Sequence, residues 1–191
     1  MAPGELPVSN GDLSREQHGR RGDSLAEAIA ALRPRLLSFA FSLTGDRELA
    51  ADLTQETMAR ALGAAWRFTP GTNLKAWLFR IMRNLRLNQL RDAGRAPIEA
   101  PFDELAEELA TGAGPLRPVE HEAVVKADLA QVMGRLNALP ALFRLPVQLT
   151  AIEQLSYAEA AGVLGIPLGT VMSRIHRGRR MLIAGLAEER A

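Results

Sequence analysis

Apolar residues recur at alternating steps of four and three in two separate blocks of this sequence, and that spacing admits little besides helices. In the first block Leu25, Ile29, Leu32, Leu36, Phe39 and Leu43 fall on one helical face. Pro34 interrupts the run, so it either kinks this helix or begins a new one. After a break at Thr44-Gly45-Asp46 a second helix is expected to about Trp66, with Leu49, Leu53 and Leu62 as inward candidates. The turn-forming stretch Thr69-Pro70-Gly71-Thr72-Asn73 then precedes a third helix, whose Leu74, Trp77, Leu78, Ile81 and Leu85 share one side. Three helices with short connections predict a compact bundle.

The second block resumes with Val125, Leu129, Val132, Leu136 and Leu139. Between the blocks, residues 92 to 119 lose the periodicity and gain Pro97, Pro101, Gly112, Gly114, Pro115 and Pro118, the composition of a linker. Within it, Leu105 to Leu109 is long enough for one helical turn. Pro140 suits the first turn of a helix, whereas Pro146 predicts a kink. The expected fold is all-α, two small helical domains joined by a flexible linker. The boundaries follow: a mobile tail at 1–24, a first domain at 25–92, an acidic linker at 93–119 and a second domain at 120–191. A chain of 191 residues accommodates this, because each domain needs roughly 60 residues to bury a useful core.

Charge is segregated along the chain although the totals, 23 basic and 22 acidic side chains, nearly cancel. The first domain has a basic excess that includes Arg60, Arg67, Arg80, Arg83 and Arg91. The linker is acidic through Glu99, Asp103, Glu104, Glu107 and Glu108, and Arg174, Arg177, Arg179 and Arg180 form a second basic cluster with no acid nearby. Two basic surfaces on either side of an acidic tether point to two contacts with a polyanion. The chain has no cysteine, which removes a disulfide framework and a thiolate zinc site and fits a reducing cytoplasm. No apolar run approaches the ~18 residues of a membrane span, and the start lacks a signal-peptide core.

A helix-turn-helix is legible near the C-terminus. Ser156-Tyr157-Ala158-Glu159 has capping-box spacing, the short helix it opens ends at Gly165, and a longer helix runs from Leu168 past Leu182. Small Ala161 permits close packing, and Gly165 permits the turn backbone. On the second helix, Leu168, Val171, Ile175, Gly178 and Leu182 form the expected core face. Ser173, His176, Arg177 and Arg180 lie opposite, with Met172 at the edge, as a surface for the DNA major groove. A bland reading, a solvated basic helix, is outweighed by the capping box, the glycine turn and the acid-free face together. His176 has no partner at metal-ligand spacing, so neither a metal nor a cofactor is expected.

On the third helix, Arg80, Arg83 and Arg91 form one stripe, with Asn84 and Asn88 between it and the apolar face. That surface suits a nucleic-acid strand, and the preceding Phe68, Thr69, Gly71, Thr72 and Asn73 offer an exposed aromatic and hydrogen-bonding groups to an unstacked base. The two asparagines suit satisfaction inside the bundle equally well, and Trp77 fits the core. On the second helix, Asp52, Gln55, Glu56 and Arg60 make either a solvated face or a partner-binding one. Nothing assembles a nucleophile, base and orienting group, and Gly71-Thr72-Asn73-Leu74-Lys75 lacks P-loop spacing. The chain is not expected to be an enzyme.

The stretches FAFSLTGDRELAADLTQETMARAL (Phe39 to Leu62) and PGTNLKAWLFRIMRN (Pro70 to Asn84) resemble domain 2 of extracytoplasmic-function sigma factors, and LSYAEAAGVLGIPLGTVMSRIHRGRRML (Leu155 to Leu182) resembles their domain 4. The resemblance implies that Asp52, Leu53, Gln55 and Glu56 dock the clamp-helix coiled coil of the largest subunit of core RNA polymerase. It implies that Phe68 to Asn73, with Arg80, Arg83, Asn84, Leu87 and Asn88, open and capture the non-template strand of the minus-ten element. Thr170, Met172, Ser173, Arg174, His176, Arg177 and Arg180 match the positions that read the minus-thirty-five duplex. The linker would thread toward the polymerase active-site channel, and an anti-sigma factor would hold both domains inactive, in keeping with a stress response. The PGTNLKAWLF segment is also similar to the branch serving general stress responses in alphaproteobacteria. Pro146 and Met172 depart from the family pattern, the first in helix continuity and the second where many relatives carry a basic residue. The alternative is a stand-alone helix-turn-helix regulator that binds duplex DNA unaided.

Overall fold

A computed structural model describes residues 24–94 and 133–188, and every described element is helical. The tail before Ser24, the linker with Leu105 to Leu109, the domain start near Val119, and Val125, Leu129 and Val132 all lie outside the described residues. Helix α1 covers 24–31, and α2 runs Arg33–Thr44 with Pro34 in its first turn. Pro34 therefore begins a helix rather than kinking one, since its missing N–H falls where no intrahelical partner exists. Gly45, at φ 67°, ends α2, a left-handed conformation that costs glycine nothing. Asp46 then caps α3 (Arg47–Gly63), its carboxylate accepting from the N–H groups of Glu48 at 2.8 Å and Leu49 at 2.9 Å.

α3 presents Ala50, Leu53, Thr54, Thr57 and Ala61 to the core. Leu49 and Leu62 are exposed instead of inward. Helical period explains the exchange, because Leu53 lies with 50, 57 and 61, a face completed by alanine and threonine rather than by the bulkier leucines. The buried Thr54 and Thr57 hydroxyls donate to the carbonyls of Ala50 and Leu53, both at 2.7 Å, so they carry no unmet polar atom inside. A single 3₁₀ turn, Ala65–Arg67, leads into the loop before α4 (Leu74–Asp92). Leu78, Phe79, Met82, Leu85 and Leu90 of α4 meet Leu36, Phe39 and Leu43 of α2, with the Phe39 and Phe79 rings 4.6 Å apart and tilted by 46°. Each such side chain removed from water contributes about 1.5–3 kcal/mol.

In the second half, residues 133–138 form α5, and Leu136 and Leu139 are buried as the periodicity anticipates. Pro140 precedes α6 (Ala141–Val147), and its carbonyl accepts from the N–H groups of Phe143 and Arg144, both at 2.9 Å. Pro146 lies inside α6 and is followed by a π-helical turn, Gln148–Ile152, closed by the Glu153 N–H on the Gln148 carbonyl at 3.0 Å. The chain thus answers the proline by widening its hydrogen-bond ladder, a known outlet for such strain. Helix α7 (Tyr157–Leu164) and α8 (Leu168–Glu188) complete the fold. Val171, Ile175 and Gly178 of α8 are buried, whereas Leu168, expected in the core, is half exposed at the helix start.

The two halves touch. α7 packs on α4, and Leu145, Leu149, Leu155, Ala160, Val163, Leu164, Val171 and Ile175 belong to the same apolar cluster as the residues of α2, α3 and α4.

Candidate nucleic-acid interface

The helix-turn-helix is built by short-range chemistry. The Ser156 hydroxyl accepts from the Glu159 N–H at 3.2 Å, while the Glu159 carboxylate takes the Ser156 N–H at 2.7 Å and its hydroxyl at 2.8 Å. These bonds hold the Glu159 carboxyl below the ordinary carboxylate range, the Ser156 backbone N–H contributing most, with smaller help from Asn73 and Lys75 of the first half. Gly165, at φ 66°, makes the turn, and its N–H donates to the Ala161 carbonyl at 2.8 Å. Helix α8 then leaves Met172, Ser173, His176, Arg177, Arg179 and Arg180 in solvent. No acidic residue lies between Leu168 and Leu186, so nothing along that stretch opposes a phosphate. Ser173 donates to the Thr170 carbonyl at 2.9 Å, and Thr170 is half-buried. Arg174 differs from its neighbours: only 7% exposed, it follows Val171 by three positions and precedes Gly178 by four, which places it on the edge of the buried face.

The second surface lies on the first half. Asn73 caps α4, its side-chain oxygen accepting from the N–H groups of Lys75 at 3.1 Å and Ala76 at 3.4 Å, and Gly71 at φ 88° lets the preceding loop reverse. Thr72 donates its hydroxyl to the Thr69 carbonyl at 2.7 Å. Thr69, Gly71 and Thr72 are exposed and line a cavity of about 620 Å³ together with Asn73, Trp77 and Arg80. Phe68 is not the exposed aromatic that the sequence suggests: it is half-buried against Trp77, ring centroids 5.3 Å apart. The aromatic that does reach solvent is Trp66, 77% exposed, with the Arg67 guanidinium 4.7 Å from its ring centroid. Sequence reasoning missed it by ending the helix there, although an aromatic followed by arginine was a usable signal for stacking.

Asn84 and Asn88 are exposed, which decides against satisfaction inside the bundle. They accept from Arg83 at 3.1 Å and Arg91 at 3.4 Å, and with Arg60, Arg67 and Ile81 they line a groove of about 450 Å³. Arg83 is partly buried, and desolvation, then the neighbouring charge of Arg91, lowers its pKa. Leu87 shares this stripe but is buried, because α4 is covered by α2, α3 and α7 and has little free surface. On α3, Asp52 and Gln55 are exposed, and Glu56 pairs with Arg60 at 3.0 Å and accepts from Gln89 at 3.3 Å. Leu53 lies fully in the core and leaves the outer face to its polar neighbours. Among the described residues no group of three or more histidine, cysteine or acidic side chains could hold a metal ion, and no helix is long and apolar enough to cross a membrane.

Comparison with known proteins gives this geometry a context. Residues 28–96 match the Sigma-70 region 2 family and residues 129–182 the Sigma-70 region 4 family. The ECF RNA polymerase sigma factor SigE of Mycolicibacterium smegmatis is 40% identical over 162 residues, an alignment that takes in 85% of this chain and 61% of the relative's own length. The ECF RNA polymerase sigma factor EcfG of Rhodopseudomonas palustris is 37% identical over 85% of this chain and 84% of that protein. Among solved structures, the sigma factor RpoE in complex with the anti-sigma factor NepR from Bartonella quintana superposes with a TM-score of 0.65 at 30% identity, covering 86% of this chain and 97% of that one. CnrH, in complex with the cytosolic domain of CnrY, gives a TM-score of 0.53 at 28% identity over 89% of this chain and 94% of the other.

Proposed function

Because this chain belongs to the extracytoplasmic-function sigma factors of RNA polymerase, we propose that it binds core polymerase and directs it to promoters by reading two DNA elements in two physical states. α8 enters the major groove of the minus-thirty-five duplex, where Arg177 and Arg180 meet guanine edges or phosphates, and Ser173, His176 and Met172 contact neighbouring bases or thymine methyls. Thr170 and Arg174 flank this surface from more buried positions and position the helix on the backbone. The loop of Thr69, Gly71, Thr72 and Asn73, with Arg80, Arg83, Asn84 and Asn88, takes the separated minus-ten strand. Stacking on an aromatic contributes about 1–3 kcal/mol per base. Trp66, the exposed aromatic of this surface, joins Phe68 as a candidate platform.

Asp52, Gln55 and Glu56 supply the polymerase-docking face. The chain has no chemistry of its own to perform: it acts in the cytoplasm as a specificity subunit, and the bonds made and broken belong to polymerase. An anti-sigma factor is its natural antagonist, as the NepR partner of the similar Bartonella quintana sigma factor suggests. One observation carries this reading: a helix-turn-helix with an acid-free outer face and a groove of arginine and asparagine beside a polar loop occur in one chain. A stand-alone regulator needs only the first of these. Run-off transcription with core polymerase and a library of genomic promoter fragments tests the proposal. The expected result is discrete transcripts sharing two spaced elements, with permanganate-reactive thymines in the downstream one. Transcripts no different from core polymerase alone would refute it.

A further inference from the structure

The first turns of α8, the part of a reading helix that reaches base edges in a helix-turn-helix, carry no charge from Leu168 to Ser173. Gly169, Ser173, His176 and Arg180 stand at i, i+4, i+7 and i+11, all exposed, and form the middle of the outward face opposite buried Val171 and Ile175. Met172 flanks this line, 50% exposed, and Leu168, 47% exposed, lies one turn before it on the same side. Arginine reaches the outward face only from Arg177 onward. Whatever the early turns select, they do not select it by charge.

Gly169 and Ser173 each narrow the choice. A Cβ on Gly169 would meet nothing else within 4 Å, so no packing inside the fold demands a glycine there. Its presence in a helix costs about 1 kcal/mol relative to alanine. What it provides is a bare outer surface, over which an outside body can approach the helix backbone closely. Ser173 is constrained differently. Its hydroxyl donates to the Thr170 carbonyl at 2.9 Å, and a hydroxyl has a single hydrogen. The oxygen therefore faces outward as an acceptor only. In the major groove its partners are the amino groups of adenine and cytosine, whereas guanine and thymine present acceptors there, as phosphates do.

We propose that Met172 and Ser173 together read one A·T pair of the upstream element: the Ser173 oxygen accepts from the adenine amino group, and the Met172 side chain packs on the thymine methyl of the same pair. An A·T pair alone offers an amino donor and a methyl group together, while a C·G pair satisfies the serine and leaves the methionine without a methyl. The unbranched, polarizable methionine adapts to the place where that methyl falls, and Leu168 extends the apolar surface beside it. Gly169 admits the helix to the depth that both contacts need. The inference rests on the reading of α8 as the minus-thirty-five helix and specifies the base pair that its first turns select.

Base analogues test it, with the holoenzyme formed from core polymerase and the duplex promoter fragments recovered by run-off transcription. Deoxyuridine removes only the thymine methyl, and an unsubstituted purine nucleoside removes only the adenine amino group. At one A·T pair of the upstream element, deoxyuridine should weaken binding by the parent about fourfold, the worth of one buried methyl. Purine at the same pair should weaken it about fivefold, the worth of one net hydrogen bond. Met172→Ala should ignore deoxyuridine and still respond to purine, and Ser173→Ala should do the reverse. Gly169→Gln, a better helix former, should weaken binding at every upstream sequence without lowering the melting temperature of the chain. An upstream element in which no pair responds to both analogues, or variants that respond as the parent does, would overturn the paired contact while the sigma-factor reading stands. Undiminished binding by Gly169→Gln would overturn the close approach. Holoenzyme that binds fragments with a scrambled upstream element as tightly as intact ones would instead overturn the reading of α8 itself, and the inference with it.

Discussion

Ser156 and Glu159 show how much a pair of neighbouring side chains can fix. Their reciprocal bonds satisfy two amides at the start of α7 and orient the helix that precedes the reading head. Ser156→Ala should lower stability by about 0.5–2 kcal/mol, the usual cost of a lost N-cap, measurable as a drop in the urea midpoint. The Glu159 carboxyl is lowered in the folded chain, so its contribution is complete at pH values above the ordinary carboxylate range. It is lost as the pH falls through the lowered folded value. Stability of the parent should therefore decline more steeply in acid than that of Glu159→Gln. Arg177, fully outward on α8, has a different readout. Arg177→Ala should weaken binding at one upstream base position by about 1–3 kcal/mol in a holoenzyme competition assay if it meets a base edge, and an equal loss on every sequence would reassign it to phosphate. The capping box was legible because its chemistry spans four residues. Leu53 is buried as its spacing anticipates, whereas the burial of Leu87 and Arg174 was not legible, because which stripes of a helix are covered depends on how many neighbours pack on it.

Helices meet where side chains leave room, and α8 meets α6 at Gly178. A Cβ there would lie 3.0 Å from a Val147 methyl and 3.3 Å from the Phe143 Cβ. Gly178→Leu substitutes a strong helix former, so any loss reports packing rather than propensity. The expected cost is about 1–3 kcal/mol from overpacking, with a matching loss of activity at promoters that depend on the upstream element. Helix positions followed from the three-four spacing almost throughout. Two prolines show how their positions are accommodated. Pro34 starts α2 because the first turn tolerates a missing N–H, and Pro146 is absorbed by a π turn that no local propensity announces. Leu49 and Leu62 seemed inward only because leucine outranks alanine and threonine in apolarity, whereas the face that packs is the one with room for close approach.

For the molecule as a whole, two domains and their order were legible, since two blocks of periodicity flank a proline- and glycine-rich interval. Their mutual packing was not. It combines one shared apolar cluster with polar contacts of Glu153, Arg35, Lys75, Arg144 and the carbonyl of Ser42, residues far apart in sequence whose pairing no periodicity encodes. The proposed function is that of a protein that acts on a larger machine rather than alone. Titrating a fluorescently labelled full-length chain with core RNA polymerase tests that claim most directly. The account predicts saturable binding that an unlabelled primary sigma factor displaces, with only weak binding of duplex promoter DNA by the chain itself. No association with core polymerase, alongside tight and specific binding of a palindromic duplex by the chain alone, would contradict it.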